Sequence, residues 1–222
     1  MIFTPGRKVV TRSPHRRVGY VSCPWFQGAQ IQYESLLELS FVRIAMLCPT
    51  VRSIESQPFK LELGNGAFYT PDFLLECDQA QRVVVEVKPM AFVSKHRQKL
   101  LAAKHVLERH GFDFHLATDE EIHLDDRHDR AAVMLRYARS SESEALVRSS
   151  RESLDRLRFP ISAQRLSGSL GVEVHDIRGL IGRRALFLLP SLHEDNVFDH
   201  QTYRESEYGR LSSSAWLRCA DW

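Results

Sequence analysis

Residues 82–89 read RVVVEVKP, a short apolar strand that carries an acid and an amine near its end. Side chains two apart on a strand point the same way, so Glu86 and Lys88 are predicted to share one face while the alternating valines pack into the core. A carboxylate beside an ammonium could take part in metal-assisted chemistry, but it could equally be a surface ion pair on an edge strand. The triplet alone is therefore weak evidence for a site.

A second acid, Asp72, stands 14 residues earlier in the segment YTPDFLL, at the start of the preceding predicted strand. If the two strands pair, Asp72 and Glu86 converge on one edge of the sheet. Two carboxylates brought that close repel each other unless a cation lies between them. Mg²⁺ is suited to such a place because it prefers carboxylate oxygens and keeps waters of its own. The alternative, two exposed acids that never meet, depends on the strand pairing.

A third acid is predicted on a helix that precedes these strands. Glu34 and Glu38 are one turn apart, and Glu38 borders the apolar stripe marked by Leu37 and Phe41. A carboxylate beside buried apolar surface is costly unless it is paired or bound to metal, which makes Glu38 a candidate ligand. Glu34 could be an ordinary solvated acid.

The order of predicted elements is α, β, β, β, α, β, which favours an α/β fold with a mixed sheet flanked by helices. A helix capped by Ser94 and stopped by Gly111 connects the valine strand to the last strand. The predicted spans are a helix over 29–48, a hairpin with strands near 52–63 and 67–76 around GNG at 64–66, the valine strand, a helix over 93–110, a strand at 112–117 and a helix near 128–139.

The composition changes after Tyr137, where a polar, serine-rich segment of helical period is interpreted as a linker helix. The pattern that follows is helix, turn at Gly168 or Gly171, helix, and a strand at 185–189, which is typical of a winged helix; a generic helical hairpin is the alternative. The predicted domains are a basic arm at 1–28, the α/β domain at 29–139, and the linker helix with the winged-helix-like domain at 140–222.

Charge is unevenly distributed along the chain. The first 33 residues contain no Asp or Glu and carry +5, so the rest carries −3 for a net charge of +2. A basic arm on a mildly acidic body indicates a polyanionic partner such as nucleic acid, although a solvated leader is also possible. The five cations are Arg7, Lys8, Arg12, Arg16 and Arg17.

The cysteines and the hydropathy pattern indicate a cytoplasmic protein with no membrane partner. The four cysteines are widely scattered, without the close pairs of a zinc or redox motif, which favours reduced thiols. No apolar run approaches the length of a bilayer span, and no signal segment opens the chain.

The motifs YESLLE, QPF, TPDF and EVKP, in this order and spacing between Tyr33 and Tyr137, resemble the N-terminal domain of the TnsA endonuclease family. These proteins are subunits of Tn-seven-type heteromeric transposases and have a restriction-endonuclease-like PD-(D/E)xK nuclease fold. A weaker likeness continues through the winged-helix-like region. The resemblance implies an αβββαβ nuclease core followed by a small winged-helix-like domain.

The resemblance also implies a reaction, the cleavage of the 5′-ended, non-transferred strand at transposon ends. On the family's pattern the catalytic residues fall on Glu38, Asp72, Glu86 and Lys88. The acids and the backbone carbonyl of Val87 would bind Mg²⁺, for which Mn²⁺ is expected to substitute. Some members carry Gln where this chain has Glu86.

The partners implied are double-stranded DNA at the transposon ends, a TnsB-like transposase and a TnsC-like AAA+ ATPase regulator. Residues 140–222 would be the docking module, in which Trp216 and Trp222 are either interface anchors or ordinary core residues. The helix after the valine strand and the basic arm are predicted to contact DNA phosphates. The helix cations are Lys95, Arg97, Lys99 and Lys104.

Two other interpretations stay open at this point. One is a stand-alone restriction or repair endonuclease of the same fold, which would act without a transposase. The other is a winged-helix DNA-binding regulator whose acidic cluster is inert.

Overall fold

A computed structural model describes residues 3–5, 17–64 and 66–219 of the chain. They form two compact units. The first contains the described residues up to Val42, Thr50–Leu124 and the residues from Arg218 onward, and the second contains Arg43–Pro49 and Asp125–Leu217. The predicted domain limits differ from this division, because residues 125–139 group with the second unit.

The described strands and helices are as follows. The strands are β1 (Phe3–Pro5), β2 (Gly19–Val21), β3 (Ile31–Tyr33), β4 (Val51–Ser56), β5 (Phe59–Gly64), β6 (Ala67–Tyr69), β7 (Phe73–Cys77), β8 (Arg82–Lys88) and β9 (Asp113–Thr118). The helices are α1 (Leu36–Leu47), α2 (Met90–Arg109), α3 (Asp119–His123), α4 (Arg127–Tyr137), α5 (Ser141–Ser149), α6 (Arg151–Leu154), α7 (Ala163–Leu170), α8 (Val174–Gly182), α9 (His200–Glu205) and α10 (Ser213–Leu217). Short 3-10 helices span Asp78–Ala80, Leu124–Asp126 and Glu207–Arg210.

The predicted mixed α/β architecture is confirmed in the first unit. Its main sheet has the order β4-β7-β8-β9, with β4, β7 and β8 antiparallel and β8 and β9 parallel. The parallel pair is joined by α2, which is the crossover connection expected for parallel neighbours. A second sheet has the order β1-β5-β6, and β2 pairs with β3.

Strand β8 is buried on both faces of the sheet. One face continues into an apolar cluster in which Val84 packs with Leu61, Tyr69 and residues of α2 such as Leu100. Elsewhere in the first unit, the ring of Phe41 in α1 stacks on that of Phe73 in β7, with centroids 5.7 Å apart. A strand covered in this way can hold a polar side chain only where that side chain finds partners.

Two of the predicted helix starts are wrong. The helix expected over 29–48 begins only at Leu36, because Ile31–Tyr33 instead pairs with Gly19–Val21. Ser94 is not an N-cap, since α2 begins at Met90, whose N–H donates to Oδ1 of Asp119 at 2.7 Å. In both places a partner distant in sequence decides the boundary.

The predicted hairpin is confirmed only around its turn. β5 and β6 pair antiparallel across the GNG segment, but each long strand is broken in two. The first break is at Gln57, which has a φ of 44°, and it sends β4 and β5 into different sheets. The second separates β6 from β7 at 70–72, which is where Asp72 lies.

The edge strand β4 is tied to the segment before α1 by two side chains, Gln27 from that segment and Ser56 from β4 itself. The amide of Gln27 donates to the carbonyl of Ile54 and accepts from its N–H, at 3.1 and 2.9 Å. The Ser56 hydroxyl likewise accepts from the N–H of Gln32 and donates to its carbonyl, at 2.9 and 2.8 Å. The Gln27 contacts give the backbone groups of Ile54 the partners that a further strand would otherwise supply, while Ser56, itself on β4, ties β4 to the backbone of β3.

The second unit contains the predicted helix–turn–helix, in which α7 ends at Gly171 with a φ of 68°. The prediction of a strand at 185–189 is wrong, because in the described chain this segment contributes only an isolated bridge between Phe187 and Phe198. The winged-helix interpretation therefore stays a prediction. Trp216 is 2% exposed and lies against the buried guanidinium of Arg127, so it is a core residue.

Two of the sequence's broader expectations can be compared with the described chain. None of its helices is long and apolar enough to cross a membrane. Of the cysteines, Cys23, Cys48 and Cys77 are buried and Cys219 is partly exposed.

Close packing of α8 on α4 predicts a stability effect at Gly182. A Cβ built there would collide with the carbonyl oxygen of Met134 and lie 2.7 Å from Cβ of Ala138. Gly182→Ala is expected to lower the free energy of unfolding by about 1–3 kcal/mol, measured by urea denaturation. In the control Gly168→Ala, the added methyl meets no atom within 4 Å. That variant is expected to gain about 0.5–1 kcal/mol from helix propensity, and equal effects at the two positions would contradict the packing explanation.

Candidate active site

The pairing of β7 with β8 brings Asp72 next to Glu86. Phe73 is registered with Val85 in the antiparallel pair, so Asp72, directly before β7, stands opposite Glu86 within β8. Oδ2 of Asp72 accepts a hydrogen bond from the backbone N–H of Val87 at 2.8 Å. The carboxylate thus takes the place of a strand residue at the end of the ladder.

Pro71 explains this break in the ladder. Extending the register by two residues would place Pro71 opposite Val87, and proline has no N–H to donate. The N–H and C=O of a strand residue face the same neighbour, so the Val87 carbonyl is turned towards a residue that cannot donate to it. Asp72 therefore places its carboxylate beside Val87, and Pro71 leaves the carbonyl of Val87 without a donor from β7.

Glu86 is buried, with 7% of its surface exposed, and both of its oxygens are engaged. Oε1 lies 2.8 Å from Nζ of Lys88, and Oε2 accepts a hydrogen bond from the Tyr69 hydroxyl at 2.8 Å. The sequence analysis missed Tyr69 because strand propensity gives no sign of a hydroxyl–carboxylate contact. The one available signal is its place three residues before Asp72 in FYTPDF.

Glu38 lies in the first turn of α1 and has a structural task there. Its Oε2 accepts from the N–H of Glu34 at 2.7 Å, and its Oε1 accepts from the Ser35 hydroxyl at 2.9 Å. Ser35 in turn accepts from the N–H of Glu38 at 3.1 Å. The spacing S-x-x-E is that of a capping box, a signal in the sequence that was not used.

The three acids nevertheless interact electrostatically. Burial raises the pKa of Asp72 well above its usual range, and the charges of Glu86 and Glu38 raise it further. Burial also raises the pKa of Glu38, to which the charge of Glu86 adds. Glu38 therefore belongs to the same electrostatic cluster as Asp72 and Glu86, although its hydrogen bonds are local.

Lys88 is the cation of this cluster. Burial on its own would lower the pKa of the Lys88 amine, but its ion pair with Glu86 and the charges of Asp72 and Glu38 raise it on balance. Lys88 accordingly holds its proton near neutral pH. Tyr69 also stays protonated, because burial and the neighbouring acids raise its pKa well above the usual value.

The donor set fits a hard divalent cation in its chemistry. It consists of carboxylate oxygens, which Mg²⁺ prefers, and the repulsion that raises the pKa of Asp72 is what a bound cation would relieve. In arrangement, however, no group of three or more His, Cys, Asp or Glu side chains in the described part of the chain is set to hold a metal ion. The oxygens of Glu38 and Glu86 are held instead by protein donors.

The predicted DNA-binding cations fall into several places. On α2, Lys95 and Lys99 are exposed and one turn apart, and Nζ of Lys99 lies 5.9 Å from the ring centroid of Tyr69. Arg97 is exposed, but it is two positions from Lys95 and from Lys99 and so points to a different side of the helix. Nζ of Lys104 lies 3.7 Å from Oε1 of Glu108 on the same helix. Lys99 thus lies near Tyr69, whose hydroxyl is bonded to Glu86 of the acid cluster.

The basic arm is only partly described. Arg17 is exposed just before β2. The other arm cations, Arg7, Lys8, Arg12 and Arg16, lie outside the described residues, as does Trp222.

Comparison with known proteins identifies the central segment. Residues 48–119 match the family model described as TnsA-like endonuclease N terminal. The matched segment contains Asp72, Glu86 and Lys88 and begins after Glu38. No curated protein matches the chain. The family match confirms the resemblance over the segment that holds QPF, TPDF and EVKP, whereas YESLLE lies before it.

The raised pKa of Asp72 predicts that Asp72→Asn stabilises the protein. Because folding raises this pKa, the stability contributed by Asp72 is fully present below its unfolded pKa, about 4, and is lost as the pH rises through the folded pKa. Asn stays neutral and can still accept from Val87. We expect a gain of about 1 kcal/mol in the free energy of unfolding at neutral pH, measured by urea denaturation in EDTA.

The control for this experiment is Asp113→Asn, at an exposed position at the start of β9. It is expected to leave the free energy of unfolding within about 0.5 kcal/mol of the wild type. An Asp72→Asn variant that is less stable than the wild type at pH 8 would contradict the assignment of a repelling acid cluster.

Proposed function

We propose that this chain, whose residues 48–119 match the TnsA-like endonuclease N-terminal model, is the endonuclease subunit of a heteromeric transposase. It would hydrolyse the 5′-ended, non-transferred strand at transposon ends and so allow cut-and-paste transposition. The fold proposed for the first unit is that of the restriction-endonuclease-like PD-(D/E)xK nucleases.

The observation that carries this proposal is the meeting of Asp72, Glu86 and Lys88 at one end of the β7–β8 pair. All three lie in the segment that matches the endonuclease family, and the charge of each acid influences the pKa of Asp72 or Lys88. An acid pair with a protonated amine at a strand end is an arrangement able to bind a phosphodiester and a hard cation together.

The residues that would hold Mg²⁺ are Asp72, Glu86 and the Val87 carbonyl, with Glu38 completing the set. The chemistry supplied by a bound Mg²⁺ would be polarisation of the scissile phosphate and a lowered pKa of a coordinated water. Mn²⁺ is proposed to substitute, since it accepts the same oxygen donors. The break in the ladder at Pro71 supports a role for the carbonyl, because the strand pairing does not require it.

Lys88 would act as a cation. Its raised pKa keeps the ammonium charged, so it is suited to orient the attacking water by donating to it, and to offset the negative charge that grows on the phosphate.

DNA would lie along the side of α2 that carries Lys95 and Lys99. Contacts from these side chains to phosphates supply affinity that does not depend on sequence. Lys99 is the better placed of the two, because its ammonium reaches the ring of Tyr69, whose hydroxyl is bonded to Glu86. Arg97, Lys104 and the basic arm are proposed to add further phosphate contacts.

Residues 140–222 are proposed as the module, winged-helix-like in form, that docks the partners. Those partners would be a TnsB-like transposase, which recognises the ends and transfers strands, and a TnsC-like AAA+ ATPase regulator. Burial of Trp216 means that it serves the core of this module rather than its surface.

A second candidate function is favoured by one observation. Both oxygens of Glu38 serve the N-terminus of α1, and no three-ligand metal group is formed among the described residues. These facts are compatible with a DNA-binding regulator whose acid cluster is inert. A cleavage assay separates the two functions.

We expect Asp72→Ala and Lys88→Ala to lower the rate of nicking of transposon-end DNA by at least about 100-fold with Mg²⁺ and the partner proteins present, because they remove a ligand and a charge from the reacting centre. The matched controls are Asp113→Ala and Lys60→Ala, which remove the same charges at exposed positions elsewhere on the first unit. Controls and site variants are compared by gel assay on the same DNA.

Equal cutting by wild type and site variants would rule out the active-site assignment in favour of the inert regulator. Strong, sequence-independent cutting by the protein on its own would favour a stand-alone restriction or repair nuclease instead. Neighbouring genes for a transposase and an AAA+ ATPase would support the transposase subunit.

The double engagement of Glu38 predicts that its two tasks can be separated. Glu38→Gln keeps an oxygen that accepts from the N–H of Glu34, whereas Glu38→Ala does not. We expect both variants to lose cleavage, and Glu38→Gln to be more stable than Glu38→Ala by about 1 kcal/mol in thermal denaturation. Cleavage that follows stability, retained by Gln and lost by Ala, would show that Glu38 acts only as a cap.

A further inference from the structure

The Tyr69 hydroxyl is a buried donor aimed at the acid cluster. Tyr69 is 3% exposed, and its hydroxyl donates to Oε2 of Glu86 at 2.8 Å. The two residues are 17 positions apart in sequence, and their strands, β6 and β8, belong to different sheets. This hydrogen bond therefore ties the second sheet to the acid cluster of the main one.

The position of that hydroxyl is fixed by packing. The ring belongs to the apolar cluster that includes Leu61 and Val84, and its centroid lies 6.4 Å from that of Phe114 in an edge-on contact. On the backbone, Tyr69 is registered with Leu61. A ring held on all these sides cannot follow Glu86 if the carboxylate turns, so the tyrosine sets the orientation and the carboxylate adopts it.

The other oxygen of Glu86 is turned to Lys88. Oε1 lies 2.8 Å from the ammonium, whose charge also interacts with Asp72 and Glu38. If Oε2 lost its donor, a buried carboxylate oxygen would be left unpaired, and the ammonium could draw both oxygens to itself. The hydroxyl opposes that rotation and keeps Oε2 on the Tyr69 side while Oε1 stays beside Lys88.

We propose that Tyr69 is a positioning residue for Glu86: its buried hydroxyl holds Oε2, so that Oε1 stays beside Lys88 and the carboxylate, next to Asp72, is oriented for binding a divalent cation. The inference rests on the proposed function, because it assigns Tyr69 to the same metal site. Tyr69 itself touches neither DNA nor cation in this role; it acts through Glu86.

The test measures cation binding without any DNA or reaction. Mn²⁺ is titrated calorimetrically into the full chain, comparing wild type with Tyr69→Phe, which removes only the hydroxyl. Loss of an outer hydrogen bond to a metal ligand typically weakens affinity by 10–100-fold, and we expect a loss of at least about 10-fold. In the nicking assay, the half-saturating Mn²⁺ concentration is expected to rise by a similar factor, while the KM for DNA stays unchanged.

The matched control is Tyr203→Phe, a tyrosine in the second unit that is 4% exposed. It is expected to bind Mn²⁺ as the wild type does. Replacement of Tyr69 by 4-fluorophenylalanine is a second variant, which fills the space of the hydroxyl without donating and carries the test if Tyr69→Phe does not fold. Its expected loss of Mn²⁺ affinity is the same.

Wild-type affinity in the folded Tyr69 variants would overturn the inference, and so would an equal loss in Tyr203→Phe. A failure of the proposed function has a different signature. In that case Mn²⁺ binding would be absent from the wild type or would survive Asp72→Ala unchanged, whatever residue stands at position 69.

Discussion

The pairing of β7 with β8 is the constraint on which the rest of the site depends. It sets Asp72 beside Glu86 at the end of a strand that is buried on both faces, where two like charges are unfavourable. The fold meets this with a donor for each acid: the backbone of Val87 for Asp72, and Tyr69 and Lys88 for Glu86. Because those donors come from separate elements, the acids are held in one arrangement.

These donors do not remove the repulsion; they only limit it. The pKa of Asp72 remains raised by burial and by its neighbours, so the cluster holds unfavourable free energy in the folded protein. Functional sites commonly retain such strain because the same groups are needed to bind a charged ligand. The carboxylate of Glu38 has two roles: it accepts the N–H of Glu34 at the start of α1, and it interacts electrostatically with the other acids of the cluster.

The central elements could be predicted from the sequence because their signals are local. The valine run gives β8, and the strand before it gives the placement of Asp72 opposite Glu86. What could not be predicted depends on partners far along the chain. Tyr69 meets Glu86 only through the packing of two sheets, Asp119 sets the start of α2 from 29 residues away, and Gly19–Val21 converts the expected start of a helix into a strand. The S-x-x-E spacing of Ser35 and Glu38, in contrast, is a local signal for the start of α1.

The contacts of Gln27 and Ser56 along β4 have a consequence of their own. An unprotected outer strand is a template onto which another copy of the chain can add, which is a route to aggregation. Here a side-chain amide and a hydroxyl satisfy backbone groups of Ile54 and Gln32. The segment before α1 therefore occupies the backbone groups of Ile54 and stands bonded to Ser56, which opposes the addition of another copy at this edge.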